Sequence, residues 1–225
     1  MTLVKICGVS EPRHARAAAS YGADFIGVVF APSRRQVTMG QGRRIAEALG
    51  ERSGPPSAPS VAAVGTRLRA GRPLLVGVFA DQDADTINSI AEECGLDLIQ
   101  LSGSEPWEAC SLLNRPVLKC LKVRDDQTAP DVLTLVHGGA LLLLDPYVEG
   151  AYGGAGVTLD WSVAAGVAAK HPVMLAGGLR PENVAAAVST VNPWAVDVSS
   201  GVEAEGVKDV SKIRAFIKAA KAQVP

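Results

Sequence analysis

Asp145 closes the apolar run Leu141 to Leu144 and is followed by a glycine-rich stretch with Gly150, Gly153, Gly154 and Gly156. A carboxyl set at the end of a buried strand, under a loop flexible enough to close over it, suits proton transfer away from water. Two other groups have the makings of an anion site. In LAGGLRPENV (175–184), Gly177 and Gly178 allow close backbone approach to a ligand, and Pro181 is read as opening a helix whose free N–H groups carry partial positive charge. In DVSSGVE (197–203), Ser199, Ser200 and Gly201 offer further amides and hydroxyls. Cys7 ends one more apolar segment, Arg34 and Arg35 follow another, and Gln100, Ser102 and Asp197 stand at the ends of two others.

Positioning these groups falls to strands that recur through the chain. Apolar segments at 3–7, 24–30, 74–79, 96–101, 117–123, 140–145, 173–176 and 195–198 read as eight strands, with helical stretches between them. One such helix repeats Ile87, Ile90, Ala91 and Cys94 on one face, which puts Cys94 in the core; the last carries Val210, Ile213 and Ile217. Ser10 is the expected cap of the first helix and Asp160 of a later one. Strict alternation predicts an α/β fold with a parallel sheet, and eight short apolar units favour closure into a single (β/α)8 TIM barrel over residues 1–225. A doubly wound dinucleotide fold would need G-x-G-x-x-G after the first strand, where only Gly8 stands. Every polar group named above then maps to the C-terminal rim, and the loops after strands seven and eight are the usual phosphate site of such barrels. The Gly-, Pro-, Ser- and Ala-rich stretch 51–73 fits neither strand nor helix and is read as a mobile surface insertion with a short helix at its centre.

Composition narrows the partners. A net charge of −1 in 225 residues offers no basic footprint for nucleic acid, and no apolar run approaches the length of a membrane span. The N-terminal residues lack the basic start and apolar core of a signal peptide, which makes the cytoplasm the expected location. Four dispersed cysteines and three scattered histidines (His14, His137, His171) predict reduced thiols and no metal site, and Cys110 and Cys120 are assigned to packing. A monomer and a homodimer are equally compatible with the pattern.

Six segments in order, VKICG (4–8), IQLSG (99–103), LLLLD (141–145), GGAGVTLDW (153–161), LAGGLRPENV (175–184) and DVSSGVE (197–203), together resemble the phosphoribosylanthranilate isomerases of tryptophan biosynthesis. The resemblance implies a cofactor-free Amadori rearrangement of N-(5′-phosphoribosyl)anthranilate to 1-(2-carboxyphenylamino)-1-deoxyribulose 5-phosphate. It places the general base on Cys7 and the general acid on Asp145. It assigns the anthranilate carboxylate to Arg35, the substrate site to Gln100 and Asp197, and the phosphate to Gly154, Gly156, Gly177, Gly178, Ser199, Ser200 and Gly201. This chain departs from the family where Ser102 replaces a common histidine, Arg34 a proline and Gln36 an aromatic, so either arginine is a candidate for the carboxylate.

The two implied roles differ in difficulty. A thiol with an ordinary pKa of ~8.5 needs only about 2 kcal/mol of bias to be mostly thiolate at neutrality. A carboxyl near 3.9 needs about 4 kcal/mol to keep its proton at pH 7, which demands burial or a neighbouring negative charge. Two other functions compete: another phosphosugar isomerase on the same barrel, and a non-catalytic phosphate-binding paralogue, which the Ser102 departure favours. A metal-dependent epimerase would want histidine ligands at strand ends, and none of the three histidines stands at one.

Overall fold

The computed structural model describes residues 1–50, 54–69, 73–149 and 158–222. Eight parallel strands close into a barrel in sequence order: β1 (Leu3–Ile6), β2 (Phe25–Val29), β3 (Leu74–Phe79), β4 (Leu98–Leu101), β5 (Val117–Val123), β6 (Leu141–Pro146), β7 (Val173–Leu175) and β8 (Ala195–Val198). The expected strands are all present, displaced by at most two residues at their ends. They were legible because strands buried on both faces read as near-continuous apolar runs. The outer layer comprises α1 (Pro12–Ser20), α2 (Met39–Ala48), α4 (Ala84–Glu93), α5 (Ala129–Thr134), α6 (Trp161–Ala168), α7 (Val184–Val191) and α8 (Val210–Lys221), numbered around a further helix, α3 (Val61–Leu68). Only a 3₁₀ turn, Trp107–Leu112, joins β4 to β5. No helix among the described residues is long and apolar enough to cross a membrane.

Local signals set the helix starts. Thr38 and Gln41 form a reciprocal capping box at α2, and Asp160 accepts from the Ser162 amide at the start of α6, as expected. At α1 the cap is Glu11, not Ser10, and it makes no side-chain bond, because Pro12 already supplies the first-turn φ and needs no N–H partner. Cys94 is buried in the core. On α8 the buried stripe is Ile213, Phe216, Ile217 and Ala220, while Val210 at the first turn is partly exposed.

Alternation divides each strand. Ile6, Ile26, Leu75, Ile99, Leu142 and Val196 face the helices, while Phe25, Leu74, Val76, Leu98, Leu118, Leu141, Leu143, Met174 and Ala195 fill the barrel. The stretch read as a surface insertion carries α3, and this helix is not on the surface alone. Val64 is fully buried against the barrel-filling residues, with Val61 and Leu68 packed beside it. Spacing at i, i+3 and i+7 turns one apolar stripe toward the N-terminal mouth, so α3 forms a floor under the barrel. Ser60 caps it, and the buried Arg67 fastens it by donating from Nε to the Gly54 carbonyl at 2.6 Å.

Candidate active site

One cavity at the C-terminal rim gathers most of the groups anticipated there. Cys7, Arg35, Gln100, Ser102, Asp145, Gly177, Gly178, Asp197, Ser199 and Ser200 all line it. Its apolar wall is Val29, Ala31 and Val78, in contact with Cys7. Gly154 and Gly156 lie outside the described residues.

Cys7 leaves the inner face of β1 two residues after Lys5. Room for both comes from Gly27 on β2, where a Cβ would stand 2.9 Å from the Cys7 sulfur and 3.1 Å from the Lys5 Cε. Burial pushes the thiol pKa up, opposed by the charge of Lys5. Burial therefore works against the thiolate expected at Cys7, and the charge of Lys5, which works for it, lessens the rise without reversing it. Parallel register sets Lys5 beside Asp197 of β8, and its ammonium, with no solvent exposure, pairs with the Asp197 carboxylate at 3.0 Å.

Asp145 ends β6 almost wholly buried. Burial raises its pKa and Asp197 adds to the rise, while Lys122 opposes both from 2.6 Å. The two conditions required for a carboxyl that keeps its proton, burial and a nearby negative charge, are therefore met, with an unforeseen cation beside them. Lys122 and Asp145 are register partners on β5 and β6, as Lys5 and Asp197 are on β1 and β8. Alternation from Cys120 and from Cys7 would have put both lysines on inward faces, where a charged residue is a signal.

The two arginines differ in exposure. Arg34 is half exposed and reaches Glu203 at 2.6 Å without lining the cavity, whereas Arg35 lines it. Arg35 gives Nε and Nη2 to the two oxygens of Glu203, at 2.7 and 3.1 Å. Lys208 adds a third cation to this carboxylate at 2.7 Å and also donates to the Ser199 carbonyl at 2.8 Å. Burial would raise the pKa of Glu203, but the hydrogen bonds from Arg35 and Lys208 and their charges outweigh it and bring it down to about 2. Glu203 and Lys208 sit on a two-stranded turn, β9 (Glu203–Ala204) and β10 (Val207–Lys208), that folds back toward the β2 loop.

The anion cradle departs from expectation in two respects. Helix α7 begins at Val184, and Pro181 belongs to the turn before it, where Asn183 accepts from the Arg180 amide and donates to the Gly178 carbonyl. Gly177 and Gly178 both take positive φ, which re-aims the backbone as β7 ends. Gly201 does not line the cavity; its Cα packs so near the Leu179 carbonyl that a Cβ would clash with it. Gly201 is thus what lets the β7 and β8 loops meet, leaving Gly177, Gly178, Ser199 and Ser200 to face the cavity.

Gln100 donates from Nε2 to the Ser102 hydroxyl at 2.9 Å, and its buried Oε1 has no partner among the described residues. At position 102 this chain thus presents to the cavity a hydroxyl tied to an amide. No cluster of metal-ligating side chains occurs among the described residues.

Comparison with known proteins bears on the family and the fold. Residues 56–219 match the family model described as N-(5′-phosphoribosyl)anthranilate (PRA) isomerase. The protein of that name from Roseiflexus castenholzii is 48% identical over 222 residues, covering 98% of each chain. A crystal structure of phosphoribosyl anthranilate isomerase from Thermotoga maritima has a TM-score of 0.81 at 34% identity, covering 99% of this chain and 100% of that one. A structure of the enzyme in complex with reduced 1-(o-carboxyphenylamino)-1-deoxyribulose 5-phosphate has a TM-score of 0.77 at 33% identity, with the same coverage.

Proposed function

The chain belongs to the phosphoribosylanthranilate isomerase family and is an isomerase of tryptophan biosynthesis, and from that premise we propose how its own residues carry out the rearrangement. The observation that carries the reading is that Cys7, Asp145, Arg35 and the loops after β7 and β8 open onto one cavity. The related protein of known complex binds a molecule with a carboxyphenyl group at one end and a phosphate at the other. In this chain Arg35 and the wall of Val29, Ala31 and Val78 take the anthranilate end, the ring against the apolar side chains and the carboxylate on the guanidinium edge that Glu203 leaves free. Gly177, Gly178, Ser199 and Ser200, with Gly154 and Gly156 from outside the described residues, take the phosphate. Asp197 and Gln100 face the sugar between them, where the unpartnered amide oxygen of Gln100 accepts a hydroxyl.

Asp145 in its acid form protonates the ribose ring oxygen. The C1′–O bond breaks as the anilino lone pair forms the C1′=N iminium. Cys7 as thiolate then removes the C2′ proton, and the C–H electrons neutralise the iminium to give the enolamine. Loss of the C2′ hydroxyl proton and protonation at C1′ complete the ketone, so atoms and charge balance without a cofactor. Iminium formation also helps the base, because a cation arriving beside Cys7 favours its thiolate. The cytoplasm is the site of action this reading assigns.

The test follows the loss of anthranilate fluorescence for the parent, Cys7→Ala and Asp145→Asn. Both variants keep the fold and lose kcat by at least about 100-fold, the lower end for positioned proton transfer. Near-parental turnover by either one removes its assigned role.

A further inference from the structure

The least expected charge in the barrel is Lys5, whose side chain is among the largest with no solvent exposure. A buried ammonium is costly to hold, and pairing it with a carboxylate seldom repays that cost relative to two apolar side chains. Lys5 and Asp197 would therefore be poor choices if the barrel interior needed only filling. Both belong instead to the surroundings of the thiol. Asp197 lines the same cavity as Cys7, and Lys5 is the preceding inward residue on the thiol's own strand. The Lys5 Cε and the Cys7 sulfur close on the same void left by Gly27, at 3.1 and 2.9 Å from where its Cβ would stand, so the two side chains meet there, and opposite charges brought close together alter titration.

We propose that Lys5 is a positioning residue for Cys7: its ammonium, held beneath the cavity by Asp197, is the counter-charge against which the thiolate forms. This rests on the reading of Cys7 as the base and names what makes that base available. Lys5 exchanges no proton with substrate; the thiolate takes the C2′ proton, and the ammonium stays charged throughout. Burial alone would lower the pKa of Lys5, but the charges of Asp197 and Cys7 hold it above the ordinary value. The other charged groups around the thiol compete or are committed elsewhere. Asp197 of β8 disfavours the thiolate and Lys208 of β10 favours it. Of the remaining charges at the cavity, Arg35 is bound to Glu203, and Asp145 is paired with Lys122. Among these, Lys5 is the cation with the largest effect on the thiol.

The experiment measures alkylation of Cys7 by iodoacetamide against pH in the full-length protein, with peptide mass spectrometry separating Cys7 from Cys94, Cys110 and Cys120. In Lys5→Met the midpoint rises by at least about one pH unit, so alkylation at neutral pH slows roughly tenfold. Turnover at pH 7 falls in proportion, with kcat changed more than KM. In Asp197→Asn the midpoint moves the other way, because the thiolate loses a repelling carboxylate and becomes the nearest anion to Lys5. A folded Lys5→Met protein with an unchanged midpoint overturns the proposal. If Lys5→Met does not fold, Lys5→Gln is measured in the same way, and an unchanged midpoint there is equally fatal. A shifted midpoint in an enzyme whose Cys7→Ala variant remains active would uphold the coupling and remove Cys7 as the base, which keeps the two readings separable.

Discussion

The Lys122 ammonium stands 2.6 Å from the Asp145 carboxylate across the β5–β6 register. A general acid must hold a proton at neutral pH, yet this neighbour favours the ionised form. Burial and Asp197 act in the opposite sense and prevail, so the pKa stands above the ordinary carboxylate value while Lys122 limits the rise. Such a balance suits a group that gives up a proton and must regain one in each turnover.

Removing the cation therefore has a definite sign. In Lys122→Met the pKa of Asp145 rises further, and the carboxyl stays protonated to a higher pH than in the parent. Infrared difference spectra follow the protonated carboxyl band, with Asp145→Asn supplying its assignment. A midpoint higher by about one unit, equivalent to about 1.4 kcal/mol, is expected. A midpoint that stays in place or falls would show that Lys122 does not bias the acid.

Acid stability should depend on Glu203. Its folded pKa of about 2 lies below its ordinary value of 4.5, so the ionised form is favoured by folding. The stabilisation is complete above about 4.5 and is lost as the pH falls toward about 2. Glu203→Gln leaves Arg35 and Lys208 without their shared counter-charge and costs about 3 kcal/mol at neutral pH, the lower end for breaking a buried pair. Urea unfolding of parent and variant from pH 7 down to pH 2 checks this. The gap between them should shrink over the acid end of that range; a gap independent of pH contradicts it.

What was legible in the sequence follows the range of the interactions. The eight strands announced themselves because burial on both faces produces contiguous apolar runs, and Cys7, Asp145 and Asp197 could be placed on one rim by counting to strand ends. Lys5 and Lys122 were within reach of the same reasoning, since alternation from Cys7 and from Cys120 turns both inward. Glu203 was not, because its partners Arg34 and Arg35 lie 169 and 168 residues away. No local pattern marks a contact made by a loop folding back across the rim. At 51–73 the short central helix was anticipated but its burial was not, because glycines and prolines drew attention from the stripe of Val61, Val64 and Leu68. The late start of α7 is of the same kind: Pro181 suits a first helical turn, but the Asn183 side chain satisfies the Arg180 amide and the chain completes a turn before the helix forms.

The floor under the barrel is separable from the chemistry above it. Val64 has no solvent exposure and packs against the lowest barrel-filling side chains, whereas the cavity with Cys7 and Asp145 opens at the opposite end. Truncation in Val64→Ala removes two buried carbons and leaves a void that the strands cannot fully close. It therefore costs about 2 kcal/mol of stability. Because no cavity-lining residue moves, kcat and KM at 25 °C should stay within about twofold of the parent. Thermal unfolding and the fluorescence assay on the same preparation measure both quantities. A variant as stable as the parent would mean that α3 does not close the barrel. A destabilised variant with equally diminished kcat would mean that the floor and the rim are mechanically coupled, and that α3 helps to position Lys5 and Cys7 from below.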